Sequence, residues 1–131
     1  TAALRGVRVE VLTPANGDHP TVQWAARAHY WQVLEHGVRI FERPGPFDHS
    51  KLMLIDGQWC CLGSANWDAR SLRLNFEFNV EVYDTALSTR LESLFDAARD
   101  ASNEISAMAL RARPLAIRLR DGVARLFTPI L

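Results

Sequence analysis

Asp56-Gly57 constrains this chain more than any other pair of residues. An Asp-Gly step between two apolar runs is a strong hairpin signal. The first arm, His49 to Leu54, alternates polar and apolar residues and then runs apolar, which suits a largely buried strand. Gln58 to Leu62 is the returning strand. Residues two apart in a strand share a face, so His49 and Lys51 point the same way. Ser64 and Asn66 repeat that spacing just past the second arm. The turn therefore sets an imidazole, an ammonium, a hydroxyl and a carboxamide side by side without any long-range assumption.

That set suits a phosphodiester. Negative charge builds on the phosphate oxygens as a nucleophile attacks, and positioned donors and cations that meet it are usually the largest catalytic term. Lys51 offers a point charge, while Ser64 and Asn66 offer oriented donors. His49 offers a nitrogen nucleophile that is partly neutral near pH 7. Its other nitrogen needs a partner to fix the tautomer, and Glu77 is the candidate. Taken singly, His49 reads as a satisfied core histidine and Lys51 as a solvated strand-edge residue; the joint spacing argues against both. A serine-hydrolase reading of Ser64 fails because no G-x-S-x-G elbow is present. A zinc site built from the histidines with Cys60 and Cys61 fails on spacing.

His49-x-Lys51, four residues, Asp56, and then Gly63-Ser64-x-Asn66 resembles the HKD signature of the phospholipase D superfamily. Trp67-Asp68-Ala69-Arg70-Ser71 and Asn75-Phe76-Glu77 are similar to its bacterial cardiolipin synthase branch. Gly6-Val7-Arg8-Val9 and Gly37-Val38-Arg39-Ile40 extend the resemblance over the chain to about Glu104. It implies that His49 attacks phosphorus to give a phosphohistidine, or acts as general acid. It implies that Lys51, Ser64 and Asn66 bind the phosphate and that Glu77 hydrogen-bonds the histidine. Asp56 belongs to the motif, more as a structural hydrogen-bonding residue than as a direct participant. No metal or other cofactor is implied, because Lys and Asn stand in for one.

The resemblance also implies two such motifs facing across a cleft, one histidine attacking and the other protonating the leaving alcohol. Here only one occurs: His19, His29 and His36 are followed two residues on by Thr21, Trp31 and Val38. A second lobe is thus the expected partner, either in a longer chain or in a second copy. The function implied is the C-terminal catalytic half of a cardiolipin synthase-like phosphatidyltransferase acting on phospholipid, peripheral on the cytoplasmic side of the bacterial inner membrane. Alternatives are a phosphodiester hydrolase, whether phospholipase D or nuclease, and an inactive half-site that only binds its other half.

Lys plus Arg and Asp plus Glu both number 15, so the formal charge is zero. A dedicated nucleic-acid binder usually carries a basic excess, and its lack argues against nucleic acid as a partner. Hydrophobic content of 48% describes a globular chain rather than a disordered one. Adjacent Cys60 and Cys61 point to opposite faces of a strand and suit packing in a reducing compartment. No signal peptide is visible, and no apolar run reaches the ~20 residues of a membrane span. Thr1 without a preceding methionine hints at an excised or processed piece.

The expected fold is α/β, a mixed sheet flanked by helices on both faces. Thr1 to Arg5 reads as a last helical turn and Val7 to Leu12 as a strand. Thr13 to Pro20 is a loop in which Asp18 and His19 are possible substrate contacts, though surface residues are the simpler reading. Thr21 caps a helix to His36 with Trp24, Ala28, Trp31 and Leu34 on one stripe. Val38 to Phe41 and Asn75 to Tyr83 read as strands, the second as a central one. A helix from Asp84 or Thr85 to about Asn103 carries Leu87, Leu91, Leu94, Phe95 and Ala98. Arg70 and Arg73 are candidates for substrate contact or for pairing with Asp68. Residues 1–107 form the lobe. Residues 108–131 form an arm with five arginines against one aspartate and a stripe of Leu115, Leu119, Val123, Leu126, Phe127 and Ile130. The arm suits either docking on the core or an anionic membrane surface, docking being favoured.

Overall fold

The computed structural model describes residues 1–17 and 19–127, and of residues 69 and 70 the backbone alone. Asp18, the side chain of Arg70, and Ile130 lie outside what is described. After a 3-10 turn at Ala3–Arg5 come β1 (Glu10–Pro14), α1 (Pro20–Leu34), β2 (Arg39–Arg43), β3 (Lys51–Ile55) and β4 (Trp59–Gly63). There follow α2 (Ala69–Arg73), β5 (Asn79–Val82), α3 (Thr85–Asp100), β6 (Asn103–Ile105), α4 (Ala107–Arg111) and α5 (Leu115–Leu126). This is the α/β class expected, with the strands shared between two three-stranded sheets. The chain divides into two units, one made of Thr1–Phe47 with the chain from Ala101 on, the other of Asp48–Asp100.

In the first unit β1 and β2 run parallel, joined by α1, and β6 adds antiparallel to β2. Arg39, at the start of β2, bonds Glu10 on β1 and grips Glu104 on β6 through two nitrogens, at 2.8 to 2.9 Å, so one guanidinium ties three strands. That guanidinium holds the Glu104 carboxyl below its usual range. On the same strand Glu42 is buried and takes both Arg27 Nε and Nη2 of α1 at 2.8 Å. A buried carboxylate is tolerated only with such a partner.

His19 caps α1 with Pro20 in its first turn, where a missing N–H costs nothing. The expected Thr21 cap is therefore two residues late. Of the tryptophan stripe, Trp31 is nearly half exposed, and Ala25 is the buried residue of α1. α5 lies against α1. Its buried residues are Asp121 and Ala124, and Asp121 takes Arg113 and Arg120 at 2.7 Å. Arg120 in turn sits 4.2 Å over the Trp24 ring. The stripe read from the sequence is on the other side: Leu115, Leu119, Val123, Leu126 and Phe127 are all more than half exposed. β6 was not expected at all, since three residues are too few to show a period.

In the second unit β3, β4 and β5 form an antiparallel meander. Asp56 (φ 49) and Gly57 (φ 63) both take the left-handed backbone, and Gln58 N donates to Ile55 O at 3.0 Å, closing the turn that the Asp-Gly pair foretold. Cys60, on the central strand, is fully buried. Asp84 caps α3 by accepting from Leu87 N at 2.6 Å. Ser88 is the buried residue of α3, whereas Leu94 of the expected stripe is exposed.

The strand expected from Asn75 to Tyr83 is shorter and lies at the edge of the sheet, not at its centre. The cause is side-chain competition for the backbone. Ser64 N still donates to Phe78 O at 3.0 Å, but Phe78 N donates to the Ser64 hydroxyl at 2.9 Å instead of to a backbone carbonyl. Regular pairing stops there, and Phe76 and Phe78 stand exposed.

Candidate active site

One end of the second sheet collects the residues of interest. The register aligns Lys51 with Gly63 and Gly63 with Asn79 across the three strands. His49 precedes β3 by two residues and Ser64 follows β4 directly. His49 lies in a loop rather than on the expected strand. Asp48 Oδ1 accepts from Ser50 N at 2.8 Å and shapes that loop. Lys51 then folds back: its Nζ donates to the His49 carbonyl at 2.6 Å and lies 3.2 Å from His49 Nδ1. The two side chains meet as expected, through this return contact and not through the pleat of a strand. An ammonium has only donors, so in this contact Nδ1 accepts and the ring proton is assigned to Nε2. His49 is solvent-exposed.

Ser64 faces Glu77. Its hydroxyl donates to Glu77 Oε2 at 2.6 Å while accepting from Phe78 N. Asn75 Nδ2 donates to Glu77 Oε1 at 3.3 Å and lies 3.4 Å from the Ser71 hydroxyl. The Ser64 bond, then those from Asn75 and Ser71 and the field of Lys51, outweigh partial desolvation and hold the Glu77 carboxyl below its ordinary range. Its hydrogen-bond partners are Ser64, Asn75 and Ser71, not the His49 ring for which the sequence named it, so the site presents a fixed carboxylate in the field of the Lys51 cation. Asn75 stands in the sequence as the first residue of the Asn75-Phe76-Glu77 run, with no role of its own assigned there. Its place two residues before Glu77 was the sign that it could bond that carboxylate.

Gly63 makes the arrangement possible. A Cβ there would run into Asn79 Oδ1 and Phe78 O and would lie 2.7 Å from Asn79 Cα. Asn79 Oδ1 accepts from Ala65 N at 3.3 Å, fixing the backbone just before Asn66. Asn66 is exposed at the same end of the sheet. Asp56 is not with this group: it forms the turn at the far end of β3, about 16 Å from Lys51 at the usual rise per residue. Among the described residues, no three His, Cys, Asp or Glu side chains gather as a metal site.

A family model described as "Cardiolipin synthase, PLD-like domain" matches residues 1–99. Cardiolipin synthase of Oceanobacillus iheyensis is 36% identical over 130 residues, covering 99% of this chain and 27% of that protein. Cardiolipin synthase 1 of Staphylococcus epidermidis and cardiolipin synthase of a Geobacillus species are each 38% identical over 130 residues, covering 99% of this chain and 26% of theirs. The chain thus spans about a quarter of the length of these relatives. Motif spacing, the hairpin that realises it and the match over residues 1–99 agree, and the chain belongs to the phospholipase D-like domain family of cardiolipin synthases.

Proposed function

We propose that this chain is the C-terminal catalytic half of a cardiolipin synthase-like phosphatidyltransferase. The observation that carries the reading is the pairing, at one end of one sheet, of the Lys51–His49 contact with the Ser64–Glu77 contact. A phosphoryl oxygen arriving at Lys51 would take over the ammonium and release the imidazole lone pair. The freed nitrogen attacks phosphorus, a nitrogen–phosphorus bond forms, and the bond to the leaving alcohol breaks. A proton for that alcohol comes from the histidine of a second lobe. An acceptor alcohol then attacks the phosphohistidine, giving the new diester and restoring His49. Lys51 and Asn66 hold the phosphoryl oxygens, and the Glu77 carboxylate, held by Ser64 and Asn75, supplies the negative charge that balances the imidazolium. Ser64 serves this site mainly by holding Glu77, since its proton is already committed there.

The second lobe is supplied by a longer chain or by a second copy. Leu74, Phe76 and Phe78 form an exposed apolar run on either side of Glu77, the kind of surface another lobe would cover. Among the described residues no helix is long and apolar enough to cross a membrane. The reading places the enzyme peripherally on the cytoplasmic face of the bacterial inner membrane.

The test is to trap radiolabelled phosphate from phosphatidylglycerol by quenching in alkaline detergent, where a nitrogen–phosphorus bond survives, with the chain alone and with a second-motif lobe added. Label on wild type but not on His49→Ala supports the chemistry. Equal label or equal turnover in His49→Ala refutes it. Product analysis then separates routes: cardiolipin marks a transferase, phosphatidic acid a hydrolase.

A further inference from the structure

Beside the motif, on the same face of the second sheet, runs a small apolar groove of about 100 Å3. Lys51 and Asn79 line it together with Met53 and Cys61, and Ala65, Trp67 and Leu72 line it further. Met53 pairs with Cys61 in the strand register, one pleat step from the Lys51–Gly63 pair. Lys51 is the one charged residue in the lining, while Met53, Trp67 and Leu72 offer exposed carbon surface. A groove of that pattern complements an amphiphile with an anionic head and an aliphatic body. Inorganic phosphate or a sugar phosphate would leave the carbon surface in water, and a neutral lipid would leave the ammonium unmatched. That charged lining residue already contacts His49, so an anionic head drawn to it lies at the nucleophile.

We infer that this groove seats the glyceryl carbons and first acyl methylenes of the phospholipid whose phosphate lies at Lys51. It makes Met53 and Leu72 specificity-determining residues for lipid over bare phosphodiester. The inference rests on the phosphodiester reading of the site above. It goes further by stating which part of the substrate lies where. Burying two methylenes corresponds to about fifteenfold tighter binding.

The chain has two methionines, and the other, Met108, is exposed on α4 in the first unit, so methyl-labelled methionine gives a reporter and an internal control. The labelled chain is titrated with dihexanoyl phosphatidylglycerol below its micelle concentration and, separately, with glycerophosphoglycerol, following the Met53 methyl and the His49 ring by NMR. The expected result is a His49 response to both ligands, with a saturable Met53 shift for the lipid alone and Met108 still. The lipid binds at least about fifteenfold tighter, and Leu72→Ser removes most of that difference while the glycerophosphoglycerol Kd stays put. A His49 response to both ligands with equal Kd and a still Met53 overturns the groove and leaves the phosphodiester site standing. No His49 response to either ligand overturns both. A Met53 shift without a His49 response marks mere apolar adsorption and also overturns the groove assignment.

Discussion

Replacing Gly63 with alanine tests whether β4 and β5 approach as closely as the site requires. The added methyl meets backbone, namely Phe78 O and Asn79 Cα, as well as Asn79 Oδ1, so no side chain can swing away to relieve all of it. Overpacking of this kind costs about 1–3 kcal/mol. Separating the strands here also strains Phe78 N to Ser64 Oγ and Ser64 N to Phe78 O, each worth about 1 kcal/mol. The expected loss is about 3–5 kcal/mol, a drop in Tm of about 10–20 °C for a chain of this size. Gly122→Ala is the control, since nothing lies within 4 Å of its Cβ position and it sits inside α5. That change should stabilise by about 0.5–1 kcal/mol through helix propensity. Thermal unfolding of both variants, with amide exchange at Phe78, measures the contrast. A Gly63→Ala protein within about 0.5 kcal/mol of wild type, with Phe78 still protected, would refute the close approach and with it the mechanism that clamps Glu77.

Asp56→Ala should cost about 1 kcal/mol, because alanine resists the left-handed backbone, whereas Asp56→Gly should recover it; phosphohistidine trapping should stay at wild-type levels in both, and its loss in Asp56→Gly would return Asp56 to the chemistry. Glu77 has a folded pKa below its ordinary 4.5, so its contribution to stability is present above about pH 4.5 and lost as pH falls through the depressed value. Acid titration of Tm should show this limb in wild type and lack it in Glu77→Gln. Ser64→Ala removes the largest cause of the depression, so the Glu77 carboxyl midpoint, read by carbon NMR, should move up toward 4.5; an unmoved midpoint contradicts the clamp. Arg27→Met leaves Glu42 buried and unpaired and should destabilise by about 3 kcal/mol in denaturant melts, with Glu42→Leu in the same chain recovering much of it.

What could be read from the sequence were the features that local chemistry decides. Asp56-Gly57 announced its turn because few other pairs accept positive φ at both positions. That His49, Lys51 and Ser64 come to one end of one sheet was legible from their spacing and that turn, whereas Glu77, named for the His49 ring, bonds Ser64 and Asn75 instead. What stayed hidden depended on partners far along the chain or on competition between side chain and backbone. The alternation of Phe76, Phe78, Val80 and Val82 reads as one long strand, yet the Ser64 hydroxyl takes the amide of Phe78 and ends regular pairing. In α5 the leucine stripe seemed the packing face, but an aspartate holds the inside, because Arg113 and Arg120 neutralise Asp121 and Trp24 shelters Arg120. Periodicity counts apolar residues and gives no credit to a charge whose partner is eight residues away. Gly63 is the clearest case. Its motif neighbours are chosen for what they offer a phosphate, and it is chosen for what it lacks, a carbon atom where Phe78 must lie if Ser64 is to reach Glu77.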